Sequence, residues 1–313
     1  MCGIAGRILS SPGHVGAHLV ELMQAQQHRG ADSTGFAIYG EPINSGFIVK
    51  VFLEDRQALD KTLEELRQVL VQHGGDFISD PTWDDTGQSY VFIRLVVSRP
   101  TAPINVWVDI IDALAGVEVI SVGRSLEIIK DVGDATTVAE KHHLRDLEGT
   151  HGLGHARLAT ESGVLPIASH PFWARPFPDI AIVHNGQLTN YFLWRRRLER
   201  SGYRFSTNND SEMIAVWISD QMNAGVELDQ ALQASVGELD GVFTFLLSTA
   251  TSIGLAKDRL AIKPIAAIEG GGEVSMATEE QALRRLHREE GEIVNYDGPS
   301  LVKVWPAHTA GSR

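Results

Sequence analysis

Cysteine occurs once in this chain of 313 residues, at position 2, directly behind the initiator methionine and ahead of Gly3-Ile4-Ala5-Gly6. A small second residue lets methionine aminopeptidase expose it, so Cys2 would carry a thiol and an unblocked α-amino group. Together these make a nucleophile and a base on one residue. The thiolate attacks, and an α-amine titrating near ~7.7–8.0 shuttles the proton at neutral pH. A lone cysteine is equally at home as a small buried apolar residue, and position by itself leaves both readings open. Three further segments bear on the choice. They are His28-Arg29-Gly30-Ala31-Asp32-Ser33-Thr34-Gly35, then Gly154-His155-Ala156-Arg157-Leu158-Ala159-Thr160 with His170-Pro171-Phe172 behind it. The last is His184-Asn185-Gly186-Gln187-Leu188-Thr189-Asn190, followed by Asn209-Asp210-Ser211-Glu212.

In this order, behind a cysteine at position 2, the segments resemble the class II glutamine amidotransferases, which belong to the Ntn hydrolases. The resemblance covers the chain apart from 45–148 and continues through Leu239-Asp240-Gly241, Lys257-Asp258-Arg259 and Ile262-Lys263-Pro264. It implies that Cys2 hydrolyses the side-chain amide of glutamine through a γ-glutamyl thioester. Asn185, through its side-chain amide, and Gly186, through its backbone N–H, then form the oxyanion hole. Glycine permits the close backbone geometry such a hole demands, whereas Asn-Gly without the cysteine would read as a tight hairpin turn. Arg157 becomes the clamp for the substrate α-carboxylate, which a guanidinium fork matches through two parallel hydrogen bonds; its plainer reading is a structural ion pair. Thr160 adds a hydroxyl to the same group. Asp210 takes the α-ammonium, although Asp at a helix start is also a natural N-cap. Arg29 orders the pocket, and His170 joins the substrate-binding set.

These residues need elements to hold them. Cys2–Leu9 reads as a short buried strand ending at a Ser-Ser-Pro-Gly turn, Val15 to Gln27 as a helix through Leu19, Leu22 and Met23, and Gly35–Tyr39 as a strand. Between 45 and 148 the order is β-α-β-α-β-β: Phe47–Leu53, a helix through Leu59 to Leu70, Tyr90–Val97, Ile104–Leu114, Val117–Val122 and Leu126–Lys130. That order is near a ferredoxin-like unit. The second half is strand-rich at Gly241–Ser248, Ser252–Ala256 and Glu273–Ala277, with helices predicted over Leu188–Ser201, Asp210–Met222 and Glu279–His287. The resemblance implies an α+β fold, a four-layer α-β-β-α Ntn-hydrolase sandwich of two antiparallel sheets. Residues 1–44 and 149–313 would form the amidotransferase domain, with 45–148 an inserted α/β subdomain.

Composition narrows the setting. Hydrophobic residues make up 43% and charged residues 21%, an ordinary globular balance. Net charge is −13, which argues against nucleic-acid backbone binding. One cysteine allows no internal disulfide, which suits a reducing compartment. No apolar run reaches the ~18–20 residues of a membrane span, and no signal peptide opens the chain. The expected setting is the cytoplasm. His142, His143, His151 and His155 lack zinc-site spacing and thiolate partners, so no metal is expected. The arginines at 195, 196, 197 and 200 read as a solvated helix face.

Two features depart from the family. No acceptor domain follows Ala277, so a separate partner subunit would use the nitrogen and the chain would work in a hetero-oligomer. Leu158 stands where some relatives carry an aromatic residue, which puts a gating role there in doubt. The runs Ala159–Ser162, Gly186–Asn190, Asn209–Glu212 and Met276–Glu279 resemble the stand-alone amidotransferase subunits of N-methylglutamate synthase and of glutamate-synthase-type complexes. This implies a glutamate-synthase-like partner carrying flavin and iron–sulfur clusters, with no cofactor in this chain. The substrate is glutamine, or glutamate with methylamine in the N-methylglutamate alternative. A chain that keeps its first methionine would instead be a non-catalytic scaffold.

Overall fold

The computed structural model describes residues 2–84, 87–157, 166–288 and 290–307. Strand β1 (Gly3–Gly13) is buried through Leu9 and then runs outward. The Ser-Ser-Pro-Gly turn expected after Leu9 is instead the tail of this strand, whose pairing register shifts between Ile8 and Gly13. Helix α1 (Val15–Ala25) buries Val15, Leu19, Val20, Leu22 and Met23, the stripe its spacing predicts. Strand β2 (Ser33–Tyr39) is buried throughout.

The next stretch divides between two sheets. Strand β3 (Gly46–Leu53), helix α2 (Leu59–Gln72), β4 (Thr82–Trp83), β5 (Val91–Ser98), α3 (Ile104–Ile111) and β6 (Val117–Gly123) form a four-stranded sheet ordered β4-β5-β3-β6. Every pairing in it is antiparallel. Strand β7 (Leu126–Val132) leaves it and pairs with β2 along seven residues. Helix α4 (Ala135–Lys141), capped by Asp134, which accepts from the amides of Thr136 and Thr137 at 2.9 Å, packs against α1.

From β8 (Gly149–Arg157) onward come β9 (Phe172–Trp173), β10 (Ala181–Leu188), α5 (Tyr191–Arg200), α6 (Asp210–Asn223), α7 (Leu228–Glu238), β11 (Gly241–Thr249) and β12 (Ser252–Lys257). The chain then forms β13 (Ala266–Gly270), β14 (Glu273–Ala277), α8 (Glu280–His287), β15 (Ile293–Asn295) and β16 (Val302–Pro306). Leu188, predicted to open a helix, closes β10 instead. It pairs with Gly241, and its amide donates to Asp210, so α5 starts at Tyr191. Helix α7 has no counterpart among the predicted helices, although Leu228, Ala231, Leu232, Ser235 and Val236 form its buried face.

A seven-stranded sheet runs β15-β13-β14-β1-β8-β2-β7 and a five-stranded sheet runs β16-β12-β11-β10-β9, with antiparallel neighbours throughout. Strand alternation sends Ile4, Ile8, Leu153, Val183 and Leu246 into a core shared by the two sheets. Ala5, Leu9 and Phe36 face α1, α4 and α8, while Ile182, Phe243 and Phe245 face α5, α6 and α7. Helix α1 lies close to its sheet because β8 shows it Gly152 and Gly154. A Cβ at Gly154 would stand 2.8 Å from Met23 Cγ, and one at Gly152 2.9 Å from Leu19 Cδ1.

Candidate active site

Cys2 stands one residue before β1, and alternation puts position 2 on the face of Ile4 and Ile8, toward the five-stranded sheet. Its carbonyl accepts from Arg29 Nε and from Asn185 Nδ2, both at 3.1 Å. Arg29 belongs to the 3-10 turn Gln27–Arg29 that closes α1. Its other arm meets Glu279 at 2.6 Å, and His28 meets the same carboxylate at 3.1 Å. Burial would raise the Glu279 carboxyl, but Arg29, Gln281 and His28 outweigh it and hold it below its usual range. Next door, the Ile4 amide donates to Thr278 Oγ1 at 2.9 Å, and the Thr278 amide returns a bond to the Ile4 carbonyl at 3.0 Å.

Arg157 ends β8. Gly3 pairs with Ala156, so Arg157 lies one register step on, beside position 2, and it also pairs with Ser33 of β2. One guanidinium nitrogen donates to the Ala168 carbonyl at 2.8 Å. Thr160 lies outside the described residues. His170 is buried against His155, with ring centroids 4.0 Å apart, and against Phe172 at 4.8 Å. Burial pushes His155 down to about 3, and burial with neighbouring positive groups pushes His170 well below the usual histidine value. Both rings are neutral near pH 7, so neither serves as a proton shuttle there. His170 thus packs against His155 and Phe172.

On β10 the alternation separates two neighbours. Asn185 faces the seven-stranded sheet and reaches Cys2; His184 faces α6, where Nδ1 bonds Ser211 Oγ at 2.9 Å and lies 3.5 Å from Asp210 Oδ1. Gly186 has φ 154°, and a Cβ there would stand 2.0 Å from the Val242 carbonyl oxygen. Asn209, not Asp210, caps α6, its side chain accepting from the Ser211 amide at 2.9 Å. Asp210 Oδ2 accepts instead from the Leu188 amide at 2.9 Å, tying the end of β10 to α6. Burial would raise this carboxyl, but His184, Leu188 and Ser211 hold it below its usual range. It stays ionised at neutral pH.

A Methanothermobacter thermautotrophicus protein assigned to the glutamine amidotransferases is 34% identical over 291 residues, spanning 91% of this chain and 94% of its own. The chain belongs to the glutamine amidotransferase family. Residues 155–285 match the glutamine amidotransferase domain itself. The glutamine amidotransferase-like protein GlxB of Rhizobium meliloti is 31% identical over 312 residues, 97% of this chain and 98% of GlxB. Among solved structures, the allosteric regulatory enzyme of purine biosynthesis aligns over 99% of the chain with TM-score 0.62 and 18% identity. The glutamine phosphoribosylpyrophosphate amidotransferase of B. subtilis aligns over 96% with TM-score 0.56 and 19% identity. At those identities the likeness carries the fold alone, and the chain spans about half the length of each of these two, 49% and 48%.

Within the family frame, direct bonds join Cys2, Arg29 and Asn185, register adds Arg157, and the β10–α6 tie adds Asp210. Glu279, Thr278, His184 and Ser211 were not among the candidate residues. His184 was legible from alternation, since it precedes Asn185 and must face the opposite way. Glu279 and Thr278 had no local signal, because their partners lie some 250 to 274 positions away in sequence. Among the described residues no group of three or more His, Cys, Asp or Glu side chains is disposed to hold a metal ion. Nor, among them, is any helix long and apolar enough to cross a membrane.

Proposed function

We propose that this chain is a class II glutamine amidotransferase subunit that forms a γ-glutamyl thioester on Cys2 and delivers ammonia to a separate synthase subunit. The observation carrying this reading is the contact between Asn185 of one sheet and Cys2 of the other. A side-chain amide has two N–H donors. One holds the Cys2 carbonyl; the second is available to an oxyanion forming at the thiol. In this reading the Cys2 α-amine takes the thiol proton and the thiolate attacks the amide carbon. Asn185 Nδ2 and the Gly186 amide then hold the oxyanion. The carbon–nitrogen bond breaks as the α-amine returns the proton to the leaving ammonia, and water hydrolyses the thioester to glutamate. Arg157 pairs with the α-carboxylate, Asp210 with the α-ammonium, and Arg29 with Glu279 keeps the nucleophile in place.

The layering of helices, two facing sheets and helices supports the Ntn-hydrolase sandwich. The 46–123 unit, β-α-β-β-α-β in the order β4-β5-β3-β6, supports a ferredoxin-like subdomain. The partner in this reading is a glutamate-synthase-like subunit in a cytoplasmic hetero-oligomer, and flavin and iron–sulfur chemistry belongs to that partner. A glutamine-mimicking diazoketone, 6-diazo-5-oxo-norleucine, should leave one adduct, on Cys2, by mass spectrometry. An unmodified Cys2 overturns the reading. An intact mass that retains the first methionine would turn it toward the scaffold. Product analysis with a coexpressed synthase subunit, with and without methylamine, separates ammonia delivery from N-methylglutamate formation.

A further inference from the structure

Lys130 is a buried cation that the proposed chemistry does not use. It sits on β7 opposite Gly35, on the strand face of Ile128, with its side chain inside the protein. Its Nζ donates to the carbonyls of Ser169 at 2.8 Å, Ile167 at 3.0 Å and Pro171 at 3.4 Å. Three acceptors match the three N–H groups of an ammonium; a neutral amine would leave one short. The segment so fastened, 166–171, carries the Ala168 carbonyl that Arg157 grips. It also carries His170. Gly35 makes room for it: a Cβ there would stand 2.1 Å from the His170 carbonyl oxygen and 2.9 Å from Pro171 Cδ.

We propose that Lys130 is a positioning residue: its ammonium clamps the 166–171 segment to the sheet and thereby sets where the Arg157 guanidinium stands. The charges facing it come from separate elements, Glu118 on β6 of the four-stranded sheet and Glu212 on α6. Arg175, after β9, lines the same small cavity, and the charges of Lys130 and Arg157 both act on His170. Glu118 thus brings a charge of the small sheet to the cavity that Lys130 lines. Burial pushes the Lys130 ammonium down to about 8, against the pull of Glu118 and Glu212. A lysine whose folded value lies below its unfolded ~10.4 makes the fold more stable as pH rises between the two. Loss of the clamp above pH 8 is therefore not unfolding.

This inference rests on the reading of Arg157 as the carboxylate clamp. Its test compares two reagents for Cys2: 6-diazo-5-oxo-norleucine, which carries the α-carboxylate, and iodoacetamide, which does not. Their rate ratio cancels the general reactivity of the thiol and reports recognition of the amino-acid end, so the clamp is assigned by how Lys130→Met, Gly35→Ala and Glu118→Gln change it. Lys130→Met should lower the ratio roughly tenfold or more, the scale of one lost charge-assisted hydrogen bond. Gly35→Ala keeps the ammonium but crowds both the segment and Lys130 Cβ, which an added methyl would meet at 2.7 Å, and should lower it too. In the wild type the ratio should fall as pH rises through 8, and Glu118→Gln should move that fall to lower pH. A folded Lys130→Met or Gly35→Ala with an unchanged ratio, or a pH profile indifferent to Glu118→Gln, overturns the inference alone. A wild type that iodoacetamide modifies and the diazoketone does not overturns the glutamine reading and the inference with it.

Discussion

At the scale of single residues, the site depends on short bonds between positions far apart in sequence. Asn185→Ala removes both the proposed oxyanion donor and a hold on the Cys2 carbonyl. It should lower kcat for glutamine hydrolysis by ~10²–10³, about 2.7–4 kcal/mol of barrier, as read by glutamate release. Gly186→Ala meets the Val242 carbonyl at 2.0 Å, so β10 must shift away from β11; the expected outcome is loss of activity together with a lower Tm. Asp210→Asn keeps an acceptor for the Leu188 amide but removes the charge, and should raise KM for glutamine more than it lowers kcat. Cys2 stood out in the sequence by its type and place, and Asn185 and Gly186 by the family resemblance; the structure puts Asn185 Nδ2 on the Cys2 carbonyl. Glu279 was not legible, since an exposed-looking carboxylate at a helix start shows nothing of an arginine 250 positions upstream.

At the scale of elements, His142 shows how the small sheet is tied to the larger one. Its side chain is 1% exposed, with Nδ1 2.6 Å from Asp84 and Nε2 3.0 Å from Asp131. Both nitrogens face carboxylates, so both must carry hydrogen, and the ring is an imidazolium. Burial would lower its pKa, but Asp131 and Asp84 outweigh burial and raise it. A raised folded value contributes stability that is complete below the unfolded ~6.5 and lost as pH rises through the folded value. Tm should therefore decline over that window in the wild type, and His142→Phe should flatten the decline. Element types were largely legible from periodicity: α1, α2, β5 and β11 lie where their apolar spacing predicts. Boundaries set by tertiary bonds were not, as at Leu188, where the Asp210 carboxylate and Gly241 decide that strand continues.

At the scale of the whole molecule, the chain leaves the seven-stranded sheet and returns to it through a narrow neck. The Ile43 amide donates to the Arg124 carbonyl at 2.8 Å and the Gly40 amide to Ser125 at 3.0 Å. Excision of 45–123 with a short Gly-Ser bridge keeps β7 and α4, and should leave a folded protein by circular dichroism that still reacts at Cys2. Excision of 45–148 strips β7 from β2 and should not fold, because β2 becomes a bare edge. If the small sheet contacts the synthase partner, the shorter excision loses copurification with that subunit; retained assembly refutes the interface. The sequence pattern marked this region as different but placed its far end at 148, since β7 reads locally like the strands before it. Only its pairing with β2 shows which sheet it serves.

The anchoring of the first strand also sets an order of events during synthesis. Cys2 is held by Arg29 and Asn185, and Ile4 by Thr278. A ribosome has made nearly nine-tenths of the chain before the last of these partners exists. Until then the first strand has no β14 to dock on. The residues around Cys2 therefore come together only once β14 and α8 take their places on the sheet, long after the first strand has been made.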